Sequence, residues 1–121
     1  MEDVRNPFDL ILRHAHVIDP SQNLNQVLDV GLRGGKIAAI EPAISSFAGV
    51  EEKELRGKYL CPGLIDLHGH WYGGSIFGVD PDYCLKGGVT TAIDAGTTGF
   101  LNFEEFRNGR MRYSQTRYWL S

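Results

Sequence analysis

The sequence changes character at Cys61-Pro62-Gly63, and that break limits the chain to folds with two unlike halves. Before it, short stretches alternate apolar and polar residues with the two-residue period of strands. After it, β-branched apolar runs alternate with helical patterns, the order of a parallel sheet with right-handed crossovers. The expected class is α/β with a β-rich N-terminus, divided into residues 1–61 and 62–121.

In the first half, residues 8–19 read as a strand with Leu10, Leu12, His14, His16 and Ile18 on one face. Residues 27–40 read as a hairpin, because VLDVGL and KIAAI flank Arg33-Gly34-Gly35, whose glycines accept the positive φ of a tight turn. Residues 42–50 read as a loop and 54–60 (ELRGKYL) as a further strand, which makes this half a β-meander.

In the second half, Leu64 to Leu67 reads as a strand covered on both sides, apolar apart from Asp66. Residues 80–88 read as a helix with Asp80 as N-cap, Pro81 at the first helical position and Gly87-Gly88 at its close. Val89 to Ile93 is the next strand. Asn102 to Arg110 is a second helix, with Asn102 as cap and Glu105 completing a capping box, and residues 116–120 form the last strand.

Lys and Arg are scattered and the net charge is −3, so the chain carries no electrostatic footprint for nucleic acid. Its first residues, MEDVRNPFDLILRHAH, place acids where a signal peptide needs positive charge. No apolar run approaches the roughly 18 residues of a membrane span. A cytoplasmic protein with no nucleic-acid or membrane partner is expected. Cys61 and Cys84 match no metal or redox spacing and are expected to be reduced, partly buried thiols.

The stretch LIDLHGHWY carries the chemistry. On a regular strand Leu64, Asp66, His68, His70 and Tyr72 share a face, so His68 and His70 point together. Their Cα atoms would lie about 6.5 to 7 Å apart, and two imidazoles can converge on one ion at roughly 2.0 to 2.1 Å per Zn–N bond. Spacing alone leaves equal room for two hydrogen-bonded histidines at a strand end. His14 and His16 repeat the spacing but lie inside a strand, and they read as structural or surface histidines.

Asp66, a polar group among apolar neighbours, reads as a compensated carboxylate able to orient a ligating histidine. Gly69 leaves the opposite face bare, which suggests tight packing there. Asp94 reads as a hydrogen-bonding residue at the end of the second parallel strand.

The string Pro62-Gly63-Leu64-Ile65-Asp66-Leu67-His68-Gly69-His70, preceded by Lys36-Ile37-Ala38-Ala39-Ile40, resembles the N-terminus of the amidohydrolase superfamily of metal-dependent hydrolases. Gly78-Val79-Asp80-Pro81-Asp82-Tyr83 and the run from Gly88 to Gly96 are most similar to its dihydroorotase-like amidohydrolase/deacetylase branch. The resemblance extends from about Phe8 to Ser121. It implies part of a small β-sandwich followed by the first strands and helices of a (β/α)8 TIM-like barrel. It also implies one or two divalent metal ions, usually zinc, with His68 and His70 as ligands of the more buried one. The substrate implied is a small-molecule amide or ester, hydrolysed at a C–N bond (amide or cyclic amide) or a related ester or acetyl bond by water that the metal activates.

The departures from the family pattern are informative. Dihydroorotases place a carboxylate-binding arginine close after the second histidine, and here Trp71-Tyr72-Gly73 stands there, so dihydroorotate is not the expected substrate. Gly69 takes a position commonly held by valine or another apolar residue. No histidine follows His70, and Lys36, Lys53, Lys58 and Lys86 all precede the expected place of a bridging lysine, so no catalytic residue is assigned.

The chain is therefore expected to be the amino-terminal part of a longer enzyme, inactive by itself. The competing expectations are a self-associating or partner-binding module without activity, and one half of a divided enzyme. Three parallel strands cannot close a barrel and an open edge invites pairing, so a homo-oligomer is expected.

Overall fold

Gly34 and Gly35 adopt φ of +57° and +73° and reverse strand β2 (Leu24–Arg33) into β3 (Lys36–Glu41). That left-handed pair is a two-residue hairpin turn of the kind only glycine, asparagine or aspartate enters cheaply. The computed structural model describes residues 6–72, 78–80 and 82–120. Pro81 and the run Gly73-Gly74-Ser75 lie outside the described residues. The chain divides into two compact units, Met1–Pro62 and Gly63–Ser121.

The first unit is a five-stranded sheet in the order β3-β2-β1-β4, with β5 also paired to β1. Strands β1 (Leu10–Asp19), β2 and β3 form an antiparallel meander. The expected single strand over 54–60 is instead two short ones, β4 (Glu51–Glu54) and β5 (Tyr59–Leu60), both parallel to β1. Gly57, at φ +77°, supplies the turn that separates them. The sheet is thus mixed rather than a pure meander.

The expected face of β1 also breaks. Between Leu12 and Ala15 the ladder to β2 carries a bulge, and His14 there has φ +53°. One extra residue switches the parity of the strand. Leu12 consequently packs on the same core as Ala15 and Val17, with Leu28, Val30 and Leu60. His14 and His16 turn away from it. The apolar side opens into a cleft of about 280 Å³ lined in part by Leu12, Val30, Ile37 and Ile40.

Asp29 explains why the bulge sits where it does. Its carboxylate is buried and accepts from the His14 amide at 2.9 Å, the Ile44 amide at 3.0 Å and the Arg13 guanidinium at 2.7 Å. Arg13 in turn grips Glu52 through two nitrogens at 2.9 and 2.7 Å and bonds the Ile44 carbonyl. Burial raises the Asp29 pKa, but the Ile44 and His14 amides and Arg13 outweigh it and leave the group below the usual carboxylate range.

The second unit is a parallel sheet in the order β6-β7-β8. Its strands are β6 (Leu64–Gly69), β7 (Val89–Asp94) and β8 (Arg117–Leu120), separated by helices α1 (Asp82–Leu85) and α2 (Phe103–Phe106). Asp80 caps α1 as expected, its Oδ1 accepting the Asp82 amide at 3.1 Å. Asn102 does not cap α2 through its side chain, which instead accepts from the Gly99 amide at 2.7 Å and donates to the Thr97 carbonyl at 3.1 Å. Beyond Phe106 the helix widens into a π-type turn over Arg107–Met111.

Trp71, Ala92, Phe106 and Tyr118 form the core of this unit. Phe106 meets Tyr118 and Tyr72 edge-on, with ring centres 5.5 and 5.7 Å apart. Burial pushes the Tyr118 phenol up to about 12. The expectation that β6 is covered on both sides is not met among the described residues: Leu64, Ile65 and Leu67 are 53%, 59% and 71% exposed.

Candidate active site

The ladder between β6 and β7 decides which way the histidines face. Asp66 lies opposite Ala92 and Gly69 opposite Asp94, so two residues of β6, Leu67 and His68, stand against one of β7. This is a bulge, and it overturns the expected alternation. Ladder partners on neighbouring strands project to the same side. Asp66 and Gly69 therefore lie on the side of buried Ala92 and Asp94, whereas His68 and His70, flanking Gly69, project to the other. Asp66 and the histidines do not share a face. The Cys84 thiol of α1, pushed up first by its own burial, also feels the Asp66 charge on that inner side.

Asp66 still acts on the pair, through the backbone. Its Oδ1 accepts the His68 amide at 3.0 Å and closes the bulge locally. The two imidazoles end up exposed, with ring centres 5.7 Å apart and planes inclined by 79°. Among the described residues neither ring is hydrogen-bonded, and no cluster of three or more His, Cys, Asp or Glu side chains is placed to hold a metal.

Gly69 has a definite reason. A Cβ built on it would lie 2.0 Å from the Trp71 indole, so the ring occupies the space a side chain at 69 would fill. Trp71 is 5% exposed and its Nε1 donates to the Ile93 carbonyl at 3.0 Å. The chain leaves β6, passes through His70 and folds Trp71 back over its own strand. The spacing of glycine two residues before a tryptophan held a hint of this, but only packing reveals it.

Asp94, treated in the sequence as a hydrogen-bonding residue, collects the carboxyl ends of both strands. Its Oδ1 accepts the Trp71 amide at 2.9 Å and the Thr97 hydroxyl, and its Oδ2 accepts the Thr98 amide at 2.7 Å. The Ala95 amide donates to the Gly69 carbonyl at 2.8 Å, and the Val79 amide to the His70 carbonyl at 2.8 Å. Burial pushes the Asp94 carboxyl up, and the bonds from Thr97, Trp71 and Thr98 more than reverse that, holding it below the usual carboxylate range.

Tyr72 turns inward. Its amide donates to the Thr97 hydroxyl at 3.3 Å, and the neighbouring Glu105 raises the phenol pKa. By contrast, His14 and His16 each have one bonded ring nitrogen, His14 Nδ1 to Glu54 at 2.9 Å and His16 Nε2 to Asn25 at 2.7 Å. Cys61 is exposed and Cys84 half-buried, and both are free thiols.

No family model matches the chain. Among curated proteins it is 37% identical over 99 residues to a deacetylase of Agrobacterium fabrum, covering 80% of this chain and 24% of that protein. Among solved structures it superposes on an adenine deaminase with a TM-score of 0.77 and 31% identity, covering 93% of this chain and 30% of that one. A dihydroorotase structure gives a TM-score of 0.77 and 31% identity, covering 92% and 30%. The chain spans about a quarter of the length of the curated relatives it matches over most of its own. From the parallel unit that carries the His68–His70 pair and from these likenesses, the chain belongs to the amidohydrolase superfamily.

Proposed function

We propose that this chain is the amino-terminal part of a metal-dependent hydrolase, residues 1–61 being a β-sandwich portion and 62–121 the opening of a (β/α)8 barrel. His68 and His70 supply two of the ligands of a divalent metal, zinc by preference. The observation that carries the reading is the convergence of two exposed imidazoles with no hydrogen bond at either ring among the described residues. Ring centres 5.7 Å apart place both imidazoles within reach of one ion.

Two imidazoles make half a site, since a catalytic zinc takes three protein ligands and a water. The remaining ligands are assigned to other chain segments, and by itself this chain is proposed to be inactive. When bound, the metal polarises a carbonyl and generates a water-derived nucleophile near neutral pH. The chain's own residues fix the two rings: Asp66 holds the His68 amide, and the turn after His70 is tied to β7.

The reaction proposed is hydrolysis of a C–N bond in an amide or cyclic amide, or of a related ester or acetyl group. Relatives named deacetylase, adenine deaminase and dihydroorotase support this class. Trp71 and Tyr72 bring no cation to the turn after His70, which argues against a substrate carboxylate bound there. Self-association is part of the reading, because Ile65 and Leu67 are exposed on a strand that is an edge among the described residues.

Titration of the chain with cobalt(II), followed by visible absorption, tests the reading. One equivalent is expected to bind with an imidazole-type spectrum that disappears in the His68→Ala/His70→Ala variant. An unchanged spectrum in that variant would overturn the assignment.

A further inference from the structure

We infer that Asp94 is a positioning residue for the His68–His70 pair, acting through the backbone of Trp71. The inference rests on the reading of those two histidines as metal ligands and deepens it. His70 lies outside the regular ladder, so nothing within β6 fixes its direction. What fixes it is the peptide on its C-terminal side. The Trp71 amide is held by Asp94 Oδ1 at 2.9 Å, and the Tyr72 amide by Thr97 Oγ at 3.3 Å. Thr97 Oγ in turn donates to the same Asp94 oxygen. Two successive amides after His70 thus hang on one carboxylate.

The peptide on the other side is held as well, because Gly69 gives its carbonyl to Ala95, the residue after Asp94. The Trp71 indole completes the clamp, its Nε1 bonded to the Ile93 carbonyl and its ring pressed over Gly69 between the two histidines. Asp94 itself is 1% exposed and bonds the Thr98 amide through its other oxygen, so it is a fixed anchor. It is carried by the middle strand of the sheet, which is paired on both edges. A carboxylate that accepts from amides on both oxygens cannot be replaced by an amide side chain. Asparagine has one acceptor, and its NH2 group must then face either the Trp71 or the Thr98 N–H.

The test is Asp94→Asn in the whole chain, with Thr97→Val as a milder second variant. Two readouts are taken: the imidazole resonances of all four histidines by nuclear magnetic resonance, without metal, and zinc affinity by calorimetry. In Asp94→Asn the ring signals of His68 and His70 are expected to shift and broaden while those of His14 and His16 stay in place. Zinc affinity is expected to fall by about 10-fold, the lower end of what loss of a directly bonded outer partner costs, because Asp94 acts through the Trp71 amide. Thr97→Val is expected to move the same two signals less.

A merely structural Asp94 would lower the melting temperature and leave both rings unmoved. That result in Asp94→Asn overturns the inference, and so does the same result in Thr97→Val should Asp94→Asn fail to fold. Should the unaltered chain bind no zinc, the ligand reading fails, and the metal-free ring signals still decide the role of Asp94.

Discussion

The chain contains two His-x-His pairs, each set at a bulge, with opposite fates. At His14 and at His68 a bulge interrupts the strand, and in both an aspartate accepts the histidine amide, Asp29 at 2.9 Å and Asp66 at 3.0 Å. After that the two regions diverge. His14 and His16 each commit one ring nitrogen, to Glu54 and Asn25 respectively, and His16 also leans on Tyr59 with ring centres 4.9 Å apart. His68 and His70 meet each other instead. The lesson is that spacing aims two side chains, and the neighbours decide whether their nitrogens remain available. A pair inside a sheet acquires partners from adjacent strands. The pair at the carboxyl end of β6 projects away from the face that carries Ala92 and Asp94, so the side chains of that face do not reach its rings.

The largest effect is expected from removing the frame of the first pair. Asp29→Ala leaves the Arg13 guanidinium and two amides without their buried acceptor. Urea unfolding followed by circular dichroism should show a loss of about 3 to 5 kcal/mol, enough to unfold a marginal domain. A loss below about 1 kcal/mol would show that the bulge at His14 does not need its carboxylate.

A smaller effect is expected at the second pair. Gly69→Val forces a side chain into the Trp71 indole, and overpacking of this sort costs about 1 to 3 kcal/mol. Trp71 fluorescence should shift toward that of a solvated indole. An unshifted spectrum with unchanged stability would mean the ring does not depend on the missing side chain.

The smallest effect is in acid. Asp94 has a lower pKa folded than unfolded, so the stability it contributes is fully present above the unfolded value near 3.9. That contribution is lost as pH falls through the folded value. Below about pH 4 the unaltered chain should therefore lose stability more steeply than Asp94→Asn. Parallel curves would remove Asp94 from the account of the second pair.

The hairpin at Gly34-Gly35 was legible because a two-glycine turn between alternating runs admits few conformations, and the parallel order β6-β7-β8 because its runs and breaks are local. The bulges were not. The one at His14 depends on Asp29, fifteen residues away on the next strand, and its effect is to reverse the face that simple alternation assigns to Leu12. The one at His68 had a local signal in Asp66, two residues upstream, but an Asp-x-His sequence is equally compatible with a straight strand. The meaning of Gly69 depended on where Trp71 folds, and that of Asp94 on which amides converge on it. Asn102 misled because a capping residue and a loop-bracing residue look alike in sequence.

The most direct measurement is the zinc bound, by elemental mass spectrometry, to the chain dialysed to equilibrium against saturating zinc beside its His68→Ala/His70→Ala and His14→Ala/His16→Ala variants. The account predicts about one zinc per chain, kept when His14 and His16 are removed and lost when His68 and His70 are removed. Zinc retained without His68 and His70, or lost without His14 and His16, would contradict it.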